Sequence, residues 1–498
     1  PTKGLGVLAK YVSGKSGGMG EVISALCKGL SERKIPTHLI TLNLKKRFRE
    51  EAHMSDREWI QSRHKLNPEN IHLVSSAEFE DYRSAYEGNP VQTASEFQRQ
   101  IINVYLKEIR SRYAGRAAVH THDWMAGGVL AAYAKMREIP LLHTVHNTHT
   151  AYIPLDMMHG VSLKKMWDYL YACWEMGTEC VDSQATAIKN ATLVSYVGRK
   201  FLREVVDGYF MDRPIIPWGV RQETRAKHSA NLALVIPNGI SPDVFPENQL
   251  EDTRFDQPGL AKKFGPDDPV IDAKKANLIK FQKQMGLLVD PDAILLYWPS
   301  RLDPVQKGVD LLEDIALKFV IEHPDVQIAI VGDPVGGDGT HADILGRIAC
   351  ASSGKIAYHS FDDRLCMLGY AAAGDVFGAS LYEPFGQIDV VGNLYGATAT
   401  NRNTGGYSDK IIPLSLKVWG APQDLGNGLL FKNYDSGGLW WGLHQAVVNH
   451  RYFRKNPGEW DKQARRIMKD ARKNWSLENM VAGYITAYEK LNRGHPLA

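Results

Sequence analysis

The sequence predicts an α/β protein built as two doubly wound, Rossmann-like parallel-sheet domains facing a cleft. Three observations predict it. Short apolar runs alternate with helically spaced segments in both halves of the chain, the pattern of parallel strands covered on both faces. The length, 498 residues, exceeds what one typical core accommodates. A Pro/Gly cluster, Ile236-Pro-Asn238-Gly239-Ile240-Ser-Pro242, separates the two series and leads into a polar stretch that runs to about residue 275.

In the first half the strand-like runs are Gly4–Ala9, Thr37–Leu42, Ala117–Thr121, Leu141–Val145, Thr192–Ser195 and Leu234–Ile236. In the second half they are Ala293–Trp298, Gln327–Val331, Lys355–His359, Asp375–Ala379, Ala397–Thr400 and Gly428–Phe431. Residues 45–100 are polar and weakly periodic and read as helices and surface loops. The segment from Trp475 to Leu491 has helical spacing through Met480, Ile485 and Tyr488. Ligands of such folds bind at the carboxyl ends of strands, so the loops there are where chemistry is expected.

Composition narrows the function classes. Lys and Arg number 59 against 56 Asp and Glu, a formal net charge of +3, which argues against a nucleic-acid or polybasic membrane-surface protein. No apolar run approaches the about 20 residues of a membrane helix. The five cysteines, Cys27, Cys173, Cys180, Cys350 and Cys366, contain no CxxC pair and read as reduced thiols of a cytosolic protein. No signal peptide is evident at Pro1; a chain beginning at proline is expected to lack its natural start, so a removed plastid transit segment is compatible with the sequence.

Four loops carry candidate chemistry. Ser13-Gly-Lys15-Ser-Gly17-Gly18-Met-Gly20-Glu21 lies between a strand-like run and a helix, where glycines admit close backbone approach and a helix N-terminus favours phosphate. It matches neither G-x-G-x-x-G nor the P-loop pattern. Arg301-Leu-Asp-Pro-Val-Gln-Lys307-Gly308 follows the strongest strand signal; a bidentate guanidinium and a compact ammonium suit a diphosphate, though for the pair alone a solvated strand–helix turn is the commoner explanation. Glu383-Pro-Phe385-Gly386-Gln387 opens a helix, where Glu383 either points into the cleft or complements the helix dipole. Arg402-Asn-Thr404-Gly405-Gly406 is a further glycine turn placed for anion or hydroxyl contact, or a plain turn. Two histidine runs, His120-Thr-His122-Asp123-Trp124 and His143-Thr-Val-His146-Asn147-Thr-His149, lack a zinc pattern. Histidines at strand ends donating hydrogen bonds to a sugar is the better reading.

Together these loops resemble the bacterial glycogen synthase and plant starch synthase family of retaining glycosyltransferases, of GT-B architecture. Lys15-Ser-Gly17-Gly18-Met19 resembles K-T-G-G-L, and His120-Thr-His122-Asp123-Trp124 resembles H-x-H-D-W. Thr144-Val-His146-Asn147 resembles T-I-H-N, and Asn238-Gly239-Ile240 resembles N-G-I-D. Arg301-Leu302 with Gln306-Lys307-Gly308 resembles R-L-x-x-Q-K-G; Glu383-Pro-Phe385-Gly386 resembles E-P-C-G; Thr404-Gly405-Gly406 with Asp409 resembles T-G-G-L-x-D. Seven short motifs in the same order span nearly the whole chain. The departures are Asp389, where synthases usually carry Gln, Val391, where the broader group often has a second Glu, and the loosely similar stretch from His149 to Thr192. By the resemblance these fall near donor and acceptor contacts.

The resemblance implies transfer of a glucosyl unit from a nucleotide diphosphate sugar, ADP- or UDP-glucose, to an α-glucan acceptor. It implies an acceptor-side domain over 1–241, rejoined by 475–498, and a donor domain over 242–474. Arg301 and Lys307 are implied at the diphosphate, assisted by Lys15, Gly17 and Gly18; His146 beside the sugar; Asp123 and Glu383 on sugar hydroxyls, with Glu383 also at the oxocarbenium-like centre. Asn238, Phe385, Gly386, Gln387, Thr404 and Gly405 complete the implied nucleotide-sugar contacts. Lys and Arg do the neutralising, so no metal or other cofactor is implied, and domain closure is expected to exclude water. Two other readings remain open from residues alone: a relative with a small-sugar or glycolipid acceptor, and a glucan- or nucleotide-binding regulator with a decayed site.

Overall fold

The structure is a computed structural model that describes residues 18–51, 55, 70–83, 85, 87–113, 117–175, 177–209, 215–257, 259–335, 339–414 and 425–492. The chain divides into two compact units, residues 1–239 with 477–498, and residues 240–476. The first expected strand, Gly4–Ala9, and the residues Lys15 and Gly17 lie outside the described residues.

The first unit contains strands β1 (Leu39–Leu42), β2 (Ile71–Val74), β3 (Val119–His122), β4 (Leu141–Val145), β5 (Tyr152–Pro154), β6 (Ala172–Glu175), β7 (Thr178–Asp182), β8 (Leu193–Tyr196) and β9 (Ala233–Val235). A parallel sheet runs β3-β4-β8-β9, a separate parallel pair joins β1 to β2, and an antiparallel sheet runs β5-β7-β6. Helices Gly18–Glu32 and Leu477–Asn492 share one core: Val22, Leu26 and Leu30 pack with Leu142, Met480, Val481 and Tyr484. Polar groups also cross the sheet. Thr144 Oγ1 lies 2.6 Å from Ser195 Oγ and 2.7 Å from His120 Nε2.

The strand β2 and the antiparallel sheet containing β5 and the β6–β7 hairpin differ from expectation. Residues 71–74 form a strand rather than helix or loop, and it reads as polar because His72 sits inside it. His72 Nε2 lies 2.9 Å from His38 Nδ1, and His38 Nε2 lies 2.7 Å from the Tyr113 hydroxyl, so the polar rings are satisfied within the layer. In the β6–β7 hairpin the alternate residues Ala172 and Trp174 are exposed, so it carries no apolar run.

Among the described residues the second unit has six strands, β10 (Ile294–Trp298), β11 (Val326–Val331), β12 (Ile356–His359), β13 (Asp375–Gly378), β14 (Thr398–Arg402) and β15 (Gly428–Phe431). All are parallel, in the order β12-β11-β10-β13-β14-β15. β10 is buried throughout because each face meets a different layer. Ile294, Leu296 and Trp298 enter the core with Leu312, Phe319 and Leu443, and Tyr297 meets Phe281 and Tyr370 edge-on at 5.7 and 5.4 Å. Strand order reverses between β10 and β13, and in open α/β sheets that switch point is where a ligand crevice forms. The loops leaving these two strands carry Arg301 with Lys307, and Glu383.

Candidate active site

In the second unit the loop after β10 is shaped by Asp303. Its carboxylate accepts from the backbone N–H of Val305 at 3.0 Å and Gln306 at 2.9 Å, and its carbonyl accepts from Lys307 N at 2.9 Å. This turn leads into the helix Val309–Glu322 and aims Lys307 across the switch point. Buried Gln306 ties the two loops together. Its carbonyl accepts from Leu381 N at 2.8 Å, its Nε2 donates to Tyr382 O at 3.5 Å, and its Oε1 accepts from exposed Arg301 at 3.3 Å.

Across this junction Lys307 Nζ meets Glu383 Oε2 at 2.5 Å. The same carboxylate oxygen accepts from Ser380 Oγ at 3.1 Å and from the Tyr407 hydroxyl at 3.4 Å. Lys307 and Glu383 are thus brought into direct contact, with Arg301 one turn away on the same loop. Opposite charges held this close, under low solvent exposure, interact far more strongly than a surface pair.

The glycine turn after β14 presses on the backbone of the Glu383 loop. A Cβ on Gly405, at φ +42°, meets Glu383 O at 1.8 Å, and a Cβ on Gly406 meets Phe385 O at 2.0 Å. Only glycine permits this approach, and it brings Gly406 N to 2.8 Å from Glu383 O. Thr404 is the fully buried N-cap residue of the helix Gly405–Lys410. Phe385 is buried against Trp475, ring centroids 6.0 Å apart. Gly386 takes φ +75°, and Gln387 is the partly buried N-cap of the helix Ile388–Leu394.

One expectation changes here. Arg402 is buried and donates to the carbonyls of Ser380, at 2.7 Å, and Leu381, so its guanidinium holds the loop from within rather than offering an anion contact. Asp389 and Val391 are buried too, on a helix packed into the unit interior. Asp389 pairs with Lys410 at 3.1 Å. Sequence reasoning did not single out Lys410; a cation on each side of the Thr404-Gly405-Gly406 turn was the available signal.

In the first unit the site residues cluster at the carboxyl ends of β3 and β4. Asp123 sits at φ +51°, directly after β3, and its Oδ1 accepts from the backbone N–H of His146 at 2.7 Å and Asn147 at 3.2 Å. It fixes the turn that follows β4. Burial pushes the Asp123 carboxyl up to about 7, against the stabilising pull of those two N–H groups. His122 Nδ1 lies 3.0 Å from His146 Nε2, the rings stacked at 5.3 Å. Burial pushes His146 down to about 4 and His122 well below its ordinary range, so both rings are neutral at pH 7 and each offers a donor and an acceptor.

Two of the other three histidines, His120 and His143, are hydrogen-bonded within the unit, and His149 is exposed. His143 is fully buried, 2.9 Å from Thr121 Oγ1, and His120 bridges the Tyr488 hydroxyl at 2.8 Å and Thr144. Burial pushes both down to about 3. Asn238, in the loop leaving β9, is buried and its Oδ1 has no hydrogen-bond partner among the described residues. Gly18 opens the helix Gly18–Glu32. No helix among the described residues is long and apolar enough to cross a membrane.

Comparison with known proteins gives a consistent result. Residues 9–213 match the family described as Starch synthase catalytic domain. A glycogen synthase from Desulforudis audaxviator is 26% identical over 379 residues, covering 74% of this chain and 68% of that protein. One from Syntrophotalea carbinolica is 30% identical over 237 residues, 47% of this chain and 44% of its own length. Among solved structures, the catalytic domain of starch synthase IV from Arabidopsis thaliana superposes with a TM-score of 0.73 at 18% identity, covering 96% of each chain. The fold is therefore α/β with parallel sheets in two domains, as in the GT-B glycosyltransferases. Over residues 9–213 the chain is thus similar to the starch synthase catalytic domain, and glycogen synthases resemble it at low identity.

Proposed function

We propose that this protein transfers a glucosyl unit from a nucleotide diphosphate sugar, ADP- or UDP-glucose, to an α-glucan acceptor with retention of configuration. The observation that carries the reading is the Lys307–Glu383 pair at the strand-order switch point, with Arg301 on the same loop. Breaking a glycosyl–diphosphate bond builds negative charge on the leaving oxygens and positive charge on the sugar ring. A preorganised ammonium and carboxylate in a region of low solvent exposure stabilise both charges as they separate. Lys307 and Arg301 take the diphosphate, and Glu383 takes the sugar hydroxyls and the oxocarbenium-like centre.

The remaining roles follow the motifs. Lys15, Gly17 and Gly18 assist at the diphosphate. His146, neutral and hydrogen-bonded to His122, offers its other ring nitrogen to a sugar hydroxyl. Asp123 acts through the His146–Asn147 backbone as a positioning residue. Asn238, Phe385, Gly386, Gln387, Thr404 and Gly405 shape the donor pocket, mostly through backbone. The solved starch synthase IV domain bound to ADP and acarbose supports a nucleotide and a sugar-like ligand as the classes to test. Residues 1–241 with 475–498 form the acceptor side and 242–474 the donor side in this reading.

The test is a panel of nucleotide sugars with and without malto-oligosaccharide, read by mass. The reading predicts acceptor-dependent nucleotide release and a product one hexose heavier. No product with any donor, or product only with a small-sugar or lipid acceptor, overturns it.

A further inference from the structure

The backbone carbonyls of Ser380–Gly386 are held by three side chains and one backbone N–H. Arg402 takes the carbonyls of Ser380 and Leu381, Gln306 that of Tyr382, the Gly406 N–H that of Glu383, and Lys410 those of Phe385 and Gly386. Lys410 is the unusual member. Its side chain is 2% exposed, that of its partner Asp389 1%, and they are 3.1 Å apart. Its Nζ is 2.6 Å from Gly386 O and sits 4.2 Å above the Phe385 ring.

Burying such a pair is a poor way to gain stability, because apolar residues of similar volume do as well or better. The geometry supplies another reason. An ammonium has three N–H donors; Lys410 directs two at consecutive loop carbonyls with one side toward Asp389, so the loop, the helix Ile388–Leu394 and the helix Gly405–Lys410 are tied at one point. Glu383 stands two residues upstream of that tie and faces Lys307. We propose that Lys410 is a positioning residue that sets Glu383 against the reacting sugar, and that Asp389 holds the Lys410 ammonium charged and aimed. This rests on the transferase reading above. The groups surrounding the ammonium besides Asp389 are Glu383, Asp409 and the Phe385 and Tyr407 rings.

The full-length chain is tested as Lys410→Met, as the double variant Asp389→Asn/Lys410→Met, and as Lys410→Arg. Lys410→Met strands a buried carboxylate and loses stability; the double variant removes both charges and recovers it. Positioning predicts that the refolded double variant still has kcat about 100-fold below wild type, the scale of a misplacement near 1 Å, with KM for the nucleotide sugar unchanged. It also predicts faster amide hydrogen exchange across residues 381–387, and recovery of both readouts in Lys410→Arg. A double variant with wild-type kcat, or with unchanged exchange across that segment, overturns the proposal. If wild type transfers no sugar, the transferase reading fails, while the exchange measurement still decides whether Lys410 clamps the loop.

Discussion

Lys307→Met removes the cation whose Nζ lies 2.5 Å from Glu383 Oε2, in a pair with side-chain exposures of 15% and 9%. Breaking a buried pair by deleting one partner costs about 3–5 kcal/mol, because the other charge is left uncompensated. Here Glu383 keeps its bonds from Ser380 and Tyr407, and the pair is not sealed from water, so a loss of about 3 kcal/mol is expected. The double variant Lys307→Met/Glu383→Gln leaves no buried charge unpaired and returns to within about 1 kcal/mol of wild type. Turnover behaves differently. In the proposed reading each variant lacks a group that stabilises separating charge, so each is expected to lose about 100- to 1000-fold in kcat. Urea unfolding and acceptor-dependent nucleotide release measure the two effects on the same samples. A double variant with wild-type stability and wild-type turnover refutes the assignment, since the pair is then structural only.

Two further outcomes follow from the same geometry. Gly405→Ala places a Cβ 1.8 Å from Glu383 O at φ +42°, so urea unfolding is expected to show more than about 4 kcal/mol of destabilisation; a loss under about 1 kcal/mol contradicts the close approach. The strand-end histidines make stability fall in acid. His120, His143 and His146 have folded values of about 3, 3 and 4, well below the unfolded 6.5, so between about pH 6.5 and 4 the unfolded chain binds protons that the folded chain refuses. Asp123, raised to about 7, acts with the opposite sign over pH 4 to 7. His143→Gln is expected to lower the slope of unfolding free energy against pH by about 1.4 kcal/mol per unit over that acid window, and an unchanged slope contradicts it.

The parallel strands were legible because their residues repeat one physical condition. β10 is covered on both faces and appears in sequence as an unbroken apolar run. β2 escaped because the His38–His72 contact satisfies polar rings between strands, which a hydropathy pattern reads as exposure. The β6–β7 hairpin escaped because alternate residues of its first strand face solvent. At the site, Lys307 and Glu383 stood out through their motifs, but nothing in either motif announces that the two side chains meet. The support beneath them was less visible still. Arg402 and Lys410 act on backbone carbonyls some twenty residues away, and a carbonyl leaves no side-chain signature at its own position. Asp389 was noticed only as a departure, and its meaning comes from Lys410.

The central claim is retaining glucosyl transfer at the Lys307–Glu383 pair, and proton NMR of the product tests it most directly. Full-length protein is incubated with α-configured ADP-glucose or UDP-glucose and a malto-oligosaccharide, and the anomeric proton of the newly added residue is followed at early times. The account predicts an α-linked terminal glucose formed by wild type and lost in the stable Lys307→Met/Glu383→Gln variant. A β-linked product, free glucose in place of transfer, or equal transfer by the variant contradicts it.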